Sequence, residues 1–161
     1  METIEYRTID KSAWPRGTWD AEPDKVQWPD PETGLPCLLV RAGQQLGHLC
    51  GYVGVPPGHP WHGIEADDID PHPDVHGGLT YSEFCRPATD EGRGVCHLPG
   101  PGEPDDVWWL GFDCGHFMDS SPGLPSIPGY PAGGVYRDVA YVRAECARLA
   151  GHVLVAGRRP V

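Results

Sequence analysis

Hydrophobic positions in this chain form several short runs and one periodic stretch. Pro36-Cys37-Leu38-Leu39-Val40-Arg41 reads as a first strand, and Leu46 to Val55 as a second, with Arg41 to Gln45 as the turn of a hairpin. Glycines 47, 51 and 54 in the second run allow close backbone approach or a bulge. Gly78 to Phe84 is a third strand and Val107 to Phe112 a fourth; the fourth is an apolar run broken only by Gly111, the pattern of a buried strand. The period then changes. From Tyr136 to Ala150, Val139, Val142, Cys146 and Leu149 recur at spacings of three and four, with Val153 next in line. This single apolar stripe predicts an amphipathic helix that Gly151 would stop.

Strands followed by one helix predict an α+β fold, a small antiparallel sheet of about four or more strands with the C-terminal helix packed on one face. Residues 1 to 36 show little periodicity and read as an irregular arm, pinned to a 37–155 core by Trp14, Trp19 and Trp28. Residues 56–73 and 120–134 read as long Pro/Gly-rich loops, the kind that are functional or mobile in compact domains. Length fits one domain over 1–161, and there is no internal repeat.

Composition narrows the function classes. Gly (22) and Pro (19) make up about a quarter of the 161 residues, yet large apolar residues are spread throughout, so the chain reads as ordered and loop-rich. A net charge of −11 argues against nucleic-acid backbones as partners. The charged start Met1-Glu2-Thr3-Ile4-Glu5-Tyr6 has no signal-peptide pattern, and no run is long enough to span a bilayer, so a cytoplasmic protein with no membrane partner is expected. In that compartment most of the six cysteines should be free thiols.

The candidate chemistry gathers where strands end. After Trp108-Trp109-Leu110-Gly111-Phe112 come Asp113, Cys114 and His116, and His76 stands beside a Gly pair before the third strand. Imidazole and carboxylate suit zinc, manganese or iron, so His76, Asp113 and His116 are candidate ligands of a divalent transition metal that activates water. Alternatively, Asp113 caps the turn and His116 bonds to backbone. Cys85, Cys96, His97, Cys114 and His116 could hold a structural zinc, although no Cys-x-x-Cys pair is present. Cys114 is a candidate nucleophile only if His76 or His116 lowers its pKa. His59, Trp61 and His62 lie on a Pro-locked loop and, with Tyr81, could contact or stack on a ligand. Lys25 and Arg137 could meet an anion, and Glu22 or Asp119 could act as base. There is no serine-hydrolase elbow, phosphate-cradling loop or dinucleotide fingerprint.

Five segments resemble an uncharacterised family of small cytoplasmic proteins from bacteria and their phages. They are Glu22 to Trp28, Leu49 to Val55, Val75 to Thr80 (Val-His-Gly-Gly-Leu-Thr), Trp108 to His116 (Trp-Trp-Leu-Gly-Phe-Asp-Cys-Gly-His) and Tyr136 to Val142. The resemblance implies a bacterial or phage origin and no particular activity, fold or cofactor. A phage setting would favour a counter-defence role.

Two functions are consistent with this sequence. One is a hydrolase of a small polar or anionic molecule, such as a nucleotide-derived one, with a metal-assisted His/Asp cleft. The other is a binding protein that sequesters such a molecule, as a phage protein does with a host immune signal. The density of His, Asp and Cys at one strand end favours the enzyme. Either could work as a homo-oligomer.

Overall fold

A computed structural model of the chain describes residues 1–86, 89–124 and 133–158. Six strands form one antiparallel sheet: β1 (Ile4–Tyr6), β2 (Lys25–Pro29), β3 (Pro36–Arg41), β4 (Leu49–Val55), β5 (Tyr81–Phe84) and β6 (Trp108–Asp113). Their order in the sheet is β1-β2-β3-β4-β6-β5. Among the described residues one α-helix, α1 (Val139–Gly157), packs on β3 and β4. The fold is therefore the expected α+β arrangement.

Strand alternation sorts the core into two faces. Val26, Trp28, Leu39, Val53, Leu110 and Phe112 point toward α1, where Val142, Cys146, Leu149 and Val153 meet them. Leu38, Val40, Tyr52 and Trp109 point the other way. The 89–98 segment covers this second face: the buried Lys25 donates to the carbonyls of Glu91 and Cys96, Gln27 exchanges hydrogen bonds with Leu98, and His97 meets Trp109 edge-on. With both faces buried, the central strands are apolar nearly throughout.

Three local expectations change. The stretch 1–36 is not irregular throughout, because it supplies β1 and β2, two strands of the sheet. β2 alternates Lys25, Val26, Gln27, Trp28, but its polar members are buried under the 89–98 segment, so the pattern gives no solvent face to recognise. The three tryptophans do pin this stretch: Trp14 and Trp28 are buried, and Trp19 meets Tyr136 edge-on. Second, α1 runs through Gly151 to Gly157, because Val153 and Ala156 continue the buried stripe and their burial offsets the glycine's cost of about 1 kcal/mol. Third, Cys85 and Cys96 form a disulfide, while Cys37, Cys50, Cys114 and Cys146 are free thiols. A bridged pair has no thiolate to give a metal, so the zinc set drawn from these two cysteines is not formed.

The 120–134 loop lies, for residues 125–132, outside the described residues. Among the described residues, no helix is long and apolar enough to cross a membrane.

Candidate functional site

The fourth predicted strand ends as anticipated, with its polar residues at the rim. Cys114 continues the ladder by donating to the Leu49 carbonyl at 3.0 Å. The chain then turns: Asp113 accepts from the Gly115 amide at 2.9 Å and from the Thr80 hydroxyl at 3.1 Å. The Asp119 amide donates to the His116 carbonyl at 2.9 Å, closing the next turn. A parallel bridge between Asp119 and Val135 then brings Arg137 alongside.

His76 reaches the same place from the other side. Gly77 and Gly78, both at positive φ, bend the Val75–Thr80 segment back. The His76 amide donates to the buried Glu145 carboxylate at 2.8 Å, which fastens the loop to α1. Tyr141 stands one helical turn before Glu145, so both face this loop.

The result is a chain of hydrogen bonds. His76 Nε2 lies 2.7 Å from Asp119 Oδ2, and His76 Nδ1 lies 2.8 Å from the Tyr141 hydroxyl. Asp119 also accepts from the His116 amide at 3.1 Å and from Arg137 Nε at 3.1 Å. Arg137 in turn lies over the Tyr141 ring, 4.7 Å from its centroid. Burial pushes the Asp119 carboxyl up, but hydrogen bonds from His76 and Arg137 outweigh it and hold the group below the usual carboxylate range. Burial, reinforced by the Glu145 charge, pushes the Tyr141 phenol up. When His76 is neutral, the ionised Asp119 accepts the Nε2–H hydrogen bond, which leaves Nδ1 to accept from the phenol.

His116 completes the cluster. Its ring centroid is 5.8 Å from that of His76, and its Nε2 stands 3.5 Å from Asp113 Oδ2 without a hydrogen bond. The ring lies over Gly77, where a Cβ would come within 2.1 Å of Nε2. The structure thus brings both His76 and Asp113 beside His116. However, both ring nitrogens of His76 are engaged, so a metal would have to displace Tyr141 or Asp119. Among the described residues, no group of three or more His, Cys, Asp or Glu side chains is placed to hold an ion.

No family model, curated protein or solved structure matches this chain. The reading of the site therefore rests on its own chemistry.

Of the other candidates, Arg137 and Asp119 join the cluster. Glu22 is elsewhere: it accepts from the buried Arg41 at 3.1 Å, from the Tyr136 hydroxyl at 2.6 Å and from the Val139 amide at 3.1 Å, tying β3 to the start of α1. Lys25 is sealed under the second face. His59 bonds the Val153 carbonyl at 2.8 Å and holds its loop to α1, and Trp61 is buried in the core. His62 bonds the Asp106 carbonyl at 2.8 Å, and Tyr81 packs edge-on against Tyr52. These four do not share a cleft with His76. Burial pushes the Cys114 thiol far up, so it is not poised as a thiolate.

Sequence reasoning missed Tyr141, Glu145, His48 and Thr80 as parts of this region. Tyr141 and Glu145 are four apart and flank the apolar stripe, a helix-face signal that was legible. His48 and Thr80 carried none.

Proposed function

We propose that the protein is a hydrolase of a small polar molecule and that Tyr141, His76 and Asp119 move the proton. The observation that carries this reading is the position of His76, bonded at one nitrogen to an ionised carboxylate and at the other to a phenol. A neutral His76 accepts the phenol proton at Nδ1, and Asp119 stabilises the imidazolium that results. A protonated His76 donates from Nδ1 instead, which turns the Tyr141 O–H outward as an acid toward a leaving group. The same three groups therefore serve as base and acid in the two halves of a hydrolysis. Arg137, still partly exposed, supplies a positive charge beside Tyr141 for an anionic substrate. Nucleotide stacking draws no support from Trp61 or Tyr81.

The experiment is turnover of a panel of p-nitrophenyl esters, phosphates and glycosides by wild type, Tyr141→Phe and His76→Gln. The expected result is a fall of about 10²-fold or more in kcat with little change in KM for both variants. Wild-type turnover in both variants would refute the relay. A wild-type protein that retains a small molecule through purification and turns over nothing would favour sequestration.

A further inference from the structure

A second polar pair stands beside the relay and takes no part in it. His48 Nδ1 lies 3.2 Å from Ser121 Oγ. Ser121 is 5% exposed, yet it borders a hollow of about 460 Å³ that is also lined by His116, Phe117, Met118, Asp119 and Leu124. His48 stands behind it, away from the hollow's lining.

The fold builds this pair. Pairing of Cys50 with Asp113, and of the Leu49 carbonyl with the Cys114 amide, brings His48 level with Gly115. A Cβ on Gly115 would stand 2.7 Å from His48 Cε1 and 2.9 Å from Nε2, so this glycine makes the space for the imidazole. Ser121 is fixed from both sides: its carbonyl accepts from the Leu124 amide at 3.1 Å, and the Gly123 amide donates to the Leu46 carbonyl at 2.9 Å. Burial lowers the pKa of His48 against the pull of Asp113 and Asp119, which leaves it neutral and able to accept a proton near pH 7.

We propose that Ser121 is the nucleophile of this hydrolase, with His48 as its base, and that the substrates are acyl compounds, that is, esters or amides small enough for the hollow. This rests on the hydrolase reading above and names its bond class. Ser121 Oγ attacks the carbonyl carbon while its proton passes to His48 Nδ1. The tetrahedral adduct collapses, the bond to the leaving group breaks, and that group departs with the Tyr141 proton, the acid step assigned to the relay above. Water then gives a proton back to Tyr141 as it attacks the acyl carbon. Collapse breaks the bond to Ser121 Oγ, which takes back its own proton from His48, and releases the carboxylic acid. A separation of 3.2 Å is within the reach of such a pair before substrate tightens it.

The test treats the full chain with a fluorophosphonate and maps the adduct by peptide mass spectrometry. The expected adduct is on Ser121. It is absent in Ser121→Ala and forms about 10²-fold more slowly in His48→Gln, with both variants checked for native circular dichroism. Ser121→Cys serves if the alanine variant does not fold: it should react with iodoacetamide faster than the buried thiols of wild type. No adduct, an adduct on Tyr141 or another serine, or an unchanged rate in His48→Gln would overturn the proposal. The two readings separate cleanly. Labelling of Ser121 with unimpaired turnover in His76→Gln removes the relay and keeps the nucleophile; turnover that needs His76 without labelling of Ser121 does the reverse.

Discussion

At the residue scale, Asp119 carries three donors on two oxygens, and its chemistry depends on its charge. Asp119→Asn keeps the shape but can no longer accept the His76 Nε2–H hydrogen bond with a negative charge or stabilise the imidazolium, so it should lower kcat by about 10²–10⁴-fold in the ester assay. The folded-state pKa of Asp119 is depressed. Its stabilising contribution is therefore complete above the ordinary carboxylate pKa and lost as pH falls through the lowered one. Acid titration followed by tryptophan fluorescence should show a smaller loss of stability for Asp119→Asn than for wild type in that range. Gly77 bears a different constraint. At φ +67°, with His116 Nε2 2.1 Å from any added Cβ, Gly77→Ala should cost roughly 1–3 kcal/mol in urea unfolding and should displace His116.

At the element scale, α1 is fixed at its start and permissive in its middle. Asp138 caps it by accepting from the Tyr141 amide at 2.8 Å, and Glu22 takes the Val139 amide. Glu22 also neutralises the fully buried Arg41 guanidinium. Asp24 also holds Arg41, at 2.9 Å, so Glu22→Ala leaves that charge with one carboxylate and takes the acceptor from the Tyr136 hydroxyl and the Val139 amide, which should destabilise by about 1–3 kcal/mol. If Glu22 were instead a catalytic base, turnover would collapse while thermal unfolding stayed put. Gly151 lies in mid-helix with nothing within 4 Å of a Cβ. Gly151→Ala should therefore raise stability by up to about 1 kcal/mol, measured by the urea midpoint at unchanged m.

At the scale of the whole molecule, one sheet is covered on both faces, and the second cover is what conceals Lys25. Burial pushes that ammonium down to about 8 from its ordinary 10.5. Between those values the unfolded chain holds more protons on this group than the folded one, so Lys25 by itself favours folding more as pH climbs above about 8, while the four free thiols, pushed far up from their ordinary 9.0 by burial, work the other way as the unfolded chain's cysteines ionise. Lys25→Met should therefore make stability fall more steeply than in wild type, as seen in the difference between their urea midpoints from about pH 8 to 10. The same cover carries the Cys85–Cys96 bridge, which closes a loop with a separation of 11 residues. Reduction should cost about 2–3 kcal/mol in unfolding free energy.

The sequence alone determined the central strands, the helix and the strand-end position of Asp113 and His116, because burial imposes periods of two and 3.6 on local composition. Cys37 to Val40 and the Val142-Cys146-Leu149-Val153 stripe record that pressure directly. β2 escaped because its polar residues are buried by a segment some 65 residues away, and no local window registers such a cover. The helix passed Gly151 for a related reason: tertiary burial of Val153 outweighed a local stop signal. Tertiary structure alone decided the site. It joined His76 to Tyr141 and Asp119, set His48 behind Ser121, and turned Glu22 and Lys25 into supports of the core. Hydrogen-bond partners are chosen by where the sheet register and the α1 packing deliver each side chain, and neither is encoded within the few residues around it.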